Sequence, residues 1–229
     1  MNQQSTWMRV VAEGGVIALS ILLALAGDAW WDERRDRALE QELIADVRAE
    51  LVESLDEMQG AIDFHLDSAT SRIDRLEVMS AEEIRALAPE EVDRYAVAVW
   101  AFNNFDDRLG TLDGMVSSGR LQLLEDRRLR SLLAEWRGRV DDIEEEAALM
   151  VRAVEAVINR EAQLGVGVPY DPMTADELVV LAGDAEFMAL ARAKRNFAVI
   201  YARDLVLLAR LAEEVIAGID RSIGTDPGG

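Results

Sequence analysis

The chain has 229 residues, with 44 Asp and Glu against 24 Lys and Arg, a formal charge of −20. That excess of acid excludes nucleic acid as a partner, because phosphate binding needs clustered cations, and it opposes adhesion of the chain to anionic lipid heads. Cysteine is absent, which excludes disulfides, thiolate metal sites and Cys nucleophiles. The single lysine, Lys194, stands among many arginines and reads as base-composition bias rather than chemistry.

Residues 1–6 are a short polar tail. Residues 14–27 form an uncharged, mostly aliphatic run. Trp7 precedes it, and Trp30 and Trp31 lie beyond its end. Trp7 to Trp30 spans about 35 Å as a helix, close to the separation of the two faces of a bilayer. Glu13 and Asp28 would lie near those faces, and Arg9 can snorkel. The pattern predicts an N-terminal transmembrane helix, with the lipid bilayer as a partner and single-pass membrane localisation. Two alternatives stay open. One is a cleaved secretory signal ending near Ala24, Leu25 and Ala26. The other is a buried helix of a bundle. Small residues four apart, Gly14/Ala18 and Ser20/Ala24, could pack a helix dimer. Arg34, Arg35 and Arg37 after the run place the C-terminal domain in the cytoplasm by the positive-inside rule.

No breaker separates this run from the next segment. Leu39, Leu43, Val47, Leu51, Leu55, Met58, Ile62, Leu66, Ala69, Ile73 and Leu76 recur at steps of three and four, one apolar stripe of a single long helix. Glu42, Asp46 and Glu50 repel along its polar face, so burial of the stripe has to hold it. Ser80 and Glu83 make a capping box for a short helix. Pro89, with Glu90 and Glu91, opens another, whose buried face is Val92, Tyr95, Val99 and Phe102. Residues 103–107 end it. Thr111 is placed to cap a short helix that stops at Gly119, and Leu121, Leu123 and Leu124 form a connector tucked into the core.

From about Asp126 a long helix runs to about Leu164, with a stripe of Leu129, Leu132, Leu133, Trp136, Val140, Ile143, Ala147, Met150, Val154 and Val157. Residues 165–171 are a loop. Thr174 and Glu177 form a second capping box. The last long helix covers about 184–222, with Phe187, Leu190, Phe197, Tyr201, Leu205, Leu208, Ala212, Val215 and Ile219 on one face. Residues 197–211 are too charged for a second span, since Arg203, Asp204 and Arg210 each cost at least about 2.5 kcal/mol at mid-bilayer. The predicted fold is therefore all-α: a transmembrane helix continuing into the first helix of an antiparallel bundle. The expected division is 1–31 for tail and span, 32–223 for the bundle and 224–229 for a disordered tail.

Two stretches, 13–51 and 111–133, resemble a widespread bacterial family of uncharacterised single-pass membrane proteins. The matching positions are Glu13, Ile21, Leu22, Leu23, Ala24, Leu25, Asp28, Trp30 and Arg34, then Ser117, Ser118, Gly119, Leu121, Leu124, Asp126, Leu129, Arg130 and Leu133. The resemblance covers about a third of the chain. It implies an anchor in the bacterial inner membrane, a helical domain and no catalytic residues. Members of that family often have a more basic N-terminal tail than this chain, which would favour an exported domain, against the positive-inside count, so the side of the domain stays open.

The inventory for catalysis is thin. His65 is the only histidine and reads as a surface or boundary residue, with no second Glu-x-x-His motif for a di-iron site. The acidic run Asp141, Asp142, Glu144, Glu145 and Glu146 lies mid-helix and reads as a solvated face rather than a calcium loop. Ser117, Ser118 and Gly119 lack the context of a nucleophile elbow. Gly165, Val166 and Gly167 lack the third glycine of a dinucleotide loop. No catalytic, metal or cofactor residue is assigned, and the chain reads as a non-enzyme. The expected role is an interaction or scaffold module that holds a protein partner or a second copy. The alternative is a ligand-sensing bundle that binds a small molecule near Trp100 and Trp136.

Overall fold

The computed structural model describes residues 3–106, 109–166 and 172–224, and the side chains among them except those of 3–18, 67 and 68. Every described element is helical. Helix α1 runs Gln3–Asp63, passes into a π-helical turn at Phe64–Thr70, and continues as α2, Ser71–Val78. Three short helices come next: α3 (Ala81–Arg85), α4 (Pro89–Trp100) and α5 (Gly110–Ser117). A 3₁₀ turn, Arg120–Leu123, leads into α6 (Arg127–Gln163), and α7 (Ala175–Gly183) into α8 (Ala185–Gly224).

The local code explains most of these bounds. Both capping boxes form, with the Ser80 and Thr174 hydroxyls accepting from the amides of Glu83 and Glu177. Pro89 sits in the first turn of α4. Asp126 accepts from the amides of Arg128 and Leu129 and starts α6. Gly119 takes a left-handed φ of 74° after α5, a conformation that costs a residue with a Cβ about 1–2 kcal/mol.

Helix α8 is the centre of the bundle and packs most extensively on α6 and α1. Ion pairs fix its direction against α1 and α2: Arg48 with Asp220, Arg195 with Asp74 and Arg192 with Glu77. As residue numbers rise on one element they fall on the other, so the two are antiparallel. α6 runs parallel to α1. The fourth leg is segmented: α4, α5 and the 3₁₀ turn carry the chain back from the end of α2 to the start of α6. Glu50 and Glu40 of α1 mark the return by binding the amides of Thr111 and Glu125.

Two apolar cores fill the bundle. The first gathers Ile44 to Ile62 of α1, Phe105 to Leu124 of the returning leg, Leu129 to Met150 of α6 and Ala198 to Ile219 of α8. The second gathers Ile73 and Leu76 with Ile84, Val92, Val99, Val157, Leu178 and Phe187 at the far end. Burying aliphatic and aromatic side chains of this size stabilises by about 1.5–3 kcal/mol each, and this holds three highly charged helices together.

Several expectations need correction. No helix among the described residues is long and apolar enough to cross a membrane, which overturns the transmembrane helix and the single-pass inner-membrane localisation. The physical reason is the apolar length. α1 has 61 residues, but its uncharged run of 14–27 covers only about 21 Å against a hydrocarbon core of about 30 Å. The polar tail expected at 1–6 is helical from Gln3 onward. Leu66 faces outward, 38% exposed, because the π-turn advances the stripe. Thr111 caps nothing: Leu109 is the residue before α5, and Thr111 is itself held by Glu50. Phe102 lies beyond the end of α4. Residues 167–171 of the expected loop and 225–229 of the expected tail lie outside the described residues.

Candidate functional site

Three features stand apart from ordinary packing: a buried polar layer, an acidic cleft and an exposed apolar rod. The layer lies between the two cores. On α8 the buried residues in order are Ala191 of the second core, then Lys194, then Ala198 of the first. Along the π-turn they are Ile62, His65, Ala69 and Ile73. Lys194 and His65 are each 0% exposed, so both were desolvated on folding.

Each is tolerated because it meets a backbone carbonyl, at the end of α4 for Lys194 and in the loop after it for His65. The last carbonyls of a helix have no partner within it and carry partial negative charge. Lys194 Nζ donates to Ala98 O at 2.9 Å, in the last turn of α4. Among the described residues no carboxylate pairs with the ammonium. Burial lowers its pKa to about 8. His65 Nε2 lies 2.9 Å from Asn103 O. A carbonyl only accepts, so Nε2 carries the proton and Nδ1, which has no partner, carries the lone pair. Burial lowers the His65 pKa to about 4; the bond to Asn103 opposes this and the nearby Lys194 charge adds to it. The imidazole is neutral across the physiological range.

Tyr201 completes the layer. Its hydroxyl accepts from the Phe105 amide at 2.8 Å and donates to Asn104 Oδ1 at 2.9 Å. Burial pushes the phenol up to about 12. The His65, Phe102 and Tyr201 rings meet at centroid distances of 5.3–5.4 Å, and Phe64 meets His65 edge-on. The π-turn makes this geometry. A π-turn inserts one residue into the helical repeat, which rotates His65 inward, and Thr70 Oγ1 donates to the His65 carbonyl at 2.7 Å. The sequence pattern places His65 at the surface or boundary; the structure buries it.

The layer offers an amine, an imidazole and a phenol, all turned into the interior. A cleft of about 280 Å³ lies elsewhere, between α6 and α8, lined by Asp142, Glu145, Glu146 and Asp204 with Arg139, Ile143, Leu149 and Leu207. Burial pushes Glu146 up to about 7, helped by a hydrogen bond to Asp204 and the charges of Asp204 and Asp142. Glu146 is therefore partly protonated near neutral pH. Asp141, Asp142, Glu144 and Glu145 are exposed, a solvated face as read from the sequence. Among the described residues no group of His, Asp and Glu is arranged to hold a metal. Trp136 is 0% exposed in the first core and Trp100 is half-buried at the end of α4, so the ligand position expected near them coincides with no described cleft.

Glu161 is a buried carboxyl outside these features that the sequence pattern does not single out. It is 3% exposed, and one of its carboxylate oxygens has no partner. Burial pushes it up to about 7. Lys194 and Glu161 are both legible in principle, since each falls on the stripe of its helix where an apolar residue is due.

The rod is the first half of α1. Among the described side chains the first buried one of α1 is Ile44, and Arg37 and Glu40 touch the bundle at Glu125. Residues 3–36 project beyond that point by about 50 Å. Leu19, Ile21, Leu22, Leu23, Leu25, Trp30 and Trp31 are 52–65% exposed. Trp30 and Trp31 stack edge-on at 5.2 Å, and the Arg34 guanidinium lies 5.4 Å over the Trp30 ring. Arg37 pairs with Glu33 at 2.6 Å. No family model, curated protein or solved structure matches the chain.

Proposed function

We propose that the chain is a non-enzymatic interaction protein, a helical bundle that presents the first half of α1 to a protein partner. The observation that carries this reading is the run of seven large apolar side chains on the rod, each more than half exposed. A helix that is apolar on all sides is stable in water only when something covers it. The bundle's own reactive groups support the same reading, because Lys194, His65 and Tyr201 are spent on satisfying backbone and side-chain groups inside the core. The ligand-sensing alternative rests on the α6–α8 cleft, where burial and neighbouring carboxylates push Glu146 up to about 7.

Hydrogen exchange on the isolated chain, at a concentration where it is a monomer, tests the reading. The amides of 19–36 should exchange far faster than those of 44–62, and replacing Leu22 and Leu25 by Glu should move the bundle's thermal midpoint by less than about 2 °C. A rod as protected as the bundle in the monomer would mean that α1 is already covered by its own chain, and the reading would fail.

A further inference from the structure

We infer that the partner covering the rod is a second copy of this chain, laid antiparallel; the inference rests on the reading of the rod as an interaction surface. The charge distribution selects this occupant and this direction. Over residues 1–37, four arginines offset five acids, so nearly all of the formal charge of −20 sits on the bundle. With a net charge of −1 the rod is a long exposed apolar stretch on which two copies meet without strong repulsion.

Direction comes from the same asymmetry. A parallel pair would set two acidic bundles side by side. An antiparallel pair centred on the apolar run places them at opposite ends. With the axis near residues 22 and 23, the two Arg37 positions lie about 44 Å apart, several times the Debye length of about 8 Å at physiological salt.

The area fits a weak, concentration-dependent pair. Each of the seven exposed side chains offers about 100 Å² of apolar surface, so two rods together present roughly 1,400 Å². A pair covers about half of each circumference and so buries about 700 Å² from these residues, with the apolar turn toward Gly14 adding to it, at the small end of the range below a standard interface of about 1,600 Å². Gly27 has no side chain, so a second helix can approach the backbone closely there. The collar at 32–37 carries three acids and three arginines, and it ends the apolar contact before the bundles begin.

Sedimentation equilibrium over a hundredfold range of concentration tests this on the full chain, with Leu22→Glu beside it. The expected result is a mass twice the chain's 25.4 kDa for the parent. The variant should be a monomer with at least tenfold weaker association and an unchanged thermal midpoint. The absence of cysteine makes single-cysteine crosslinking clean. Oxidised Leu22→Cys should give a covalent dimer and Arg37→Cys should not. Crosslinking at both positions would overturn the antiparallel arrangement. A parent that stays monomeric throughout, or that binds phosphatidylcholine vesicles without self-associating, would overturn the second copy as occupant. Those failures leave the rod as an interaction surface. Protection of the rod in the monomer, by contrast, removes the reading on which the inference rests.

Discussion

Replacing Lys194 with Met should change the sign of its effect on stability between pH 7 and pH 10. The substitution keeps side-chain length and removes the charge. In the folded chain burial holds the Lys194 pKa at about 8, against an ordinary 10.5. A depressed amine pKa means that the unfolded chain binds more protons between these values, so stability rises with pH through that window. The difference corresponds to roughly 3 kcal/mol, carried in full as a penalty below pH 8. Met removes this penalty but leaves Ala98 O, at the end of α4, without its donor, a loss of about 1–2 kcal/mol. At pH 7 the variant should be more stable than the parent by about 1–2 kcal/mol. At pH 10 the folded amine is largely neutral and only about 0.8 kcal/mol of the penalty remains, so the variant should be less stable by up to about 1 kcal/mol. Equilibrium unfolding in denaturant at pH 7, 8, 9 and 10 measures both. The series stops at pH 10 because Tyr201, pushed up to about 12, contributes the opposite slope above that value. A difference that stays constant across the series would refute a burial-depressed amine at Lys194.

Groups in or beside the cores give three further outcomes. His65→Phe should flatten the loss of stability on acidification: the imidazole titrates at about 4 when folded and 6.5 when free, so the parent loses roughly 3 kcal/mol as pH falls between them. Subtracting the variant's unfolding profile from the parent's isolates this slope from the acids that titrate in the same range. Glu161→Gln has the reverse signature, because its carboxyl is raised to about 7 and its stabilising protonation is lost as pH rises. The variant should match the parent at pH 4 and exceed it by about 2–3 kcal/mol at pH 8, measured by thermal unfolding at the two values. Glu50→Ala should cost about 1–2 kcal/mol and speed exchange of the Thr111 amide, since both Glu50 oxygens receive that amide and one also receives the Thr111 hydroxyl, at 2.8–3.1 Å.

The long helices, their stripes and the two capping boxes are legible in the sequence because each rests on local chemistry: period, caps, and proline in the first turn. The elements that local chemistry misplaces depend on partners far along the chain. Thr111 has the composition of a cap, but a carboxylate sixty-one residues earlier claims its amide. Leu66 fits a regular helical stripe, and only the π-turn, stabilised by Thr70 and by the carbonyl awaiting His65, moves it outward. The stripe of α8 marks Lys194 as inward-facing, but nothing adjacent to it shows that its partner is a carbonyl at the end of α4. The rod misleads through length: tryptophans at both ends of an apolar run mimic an interfacial belt, while the uncharged stretch between them falls short.

The division of the core by the Lys194–His65 layer gives the molecule unequal ends. At the far end α3, α4 and α7 have 5, 12 and 9 residues, at or below the roughly 12–15 at which an isolated helix is even marginal in water. Their order is borrowed from the first turns of α8 and the last turns of α6 across the second core. Loss of contact there releases them together as one sub-global unit, while the first core, built on three long helices, stays closed. The layer is then a seam in cooperativity: its hydrogen bonds are the last to part in such an opening, and the free energy to break them separates a frayed end from an unfolded chain.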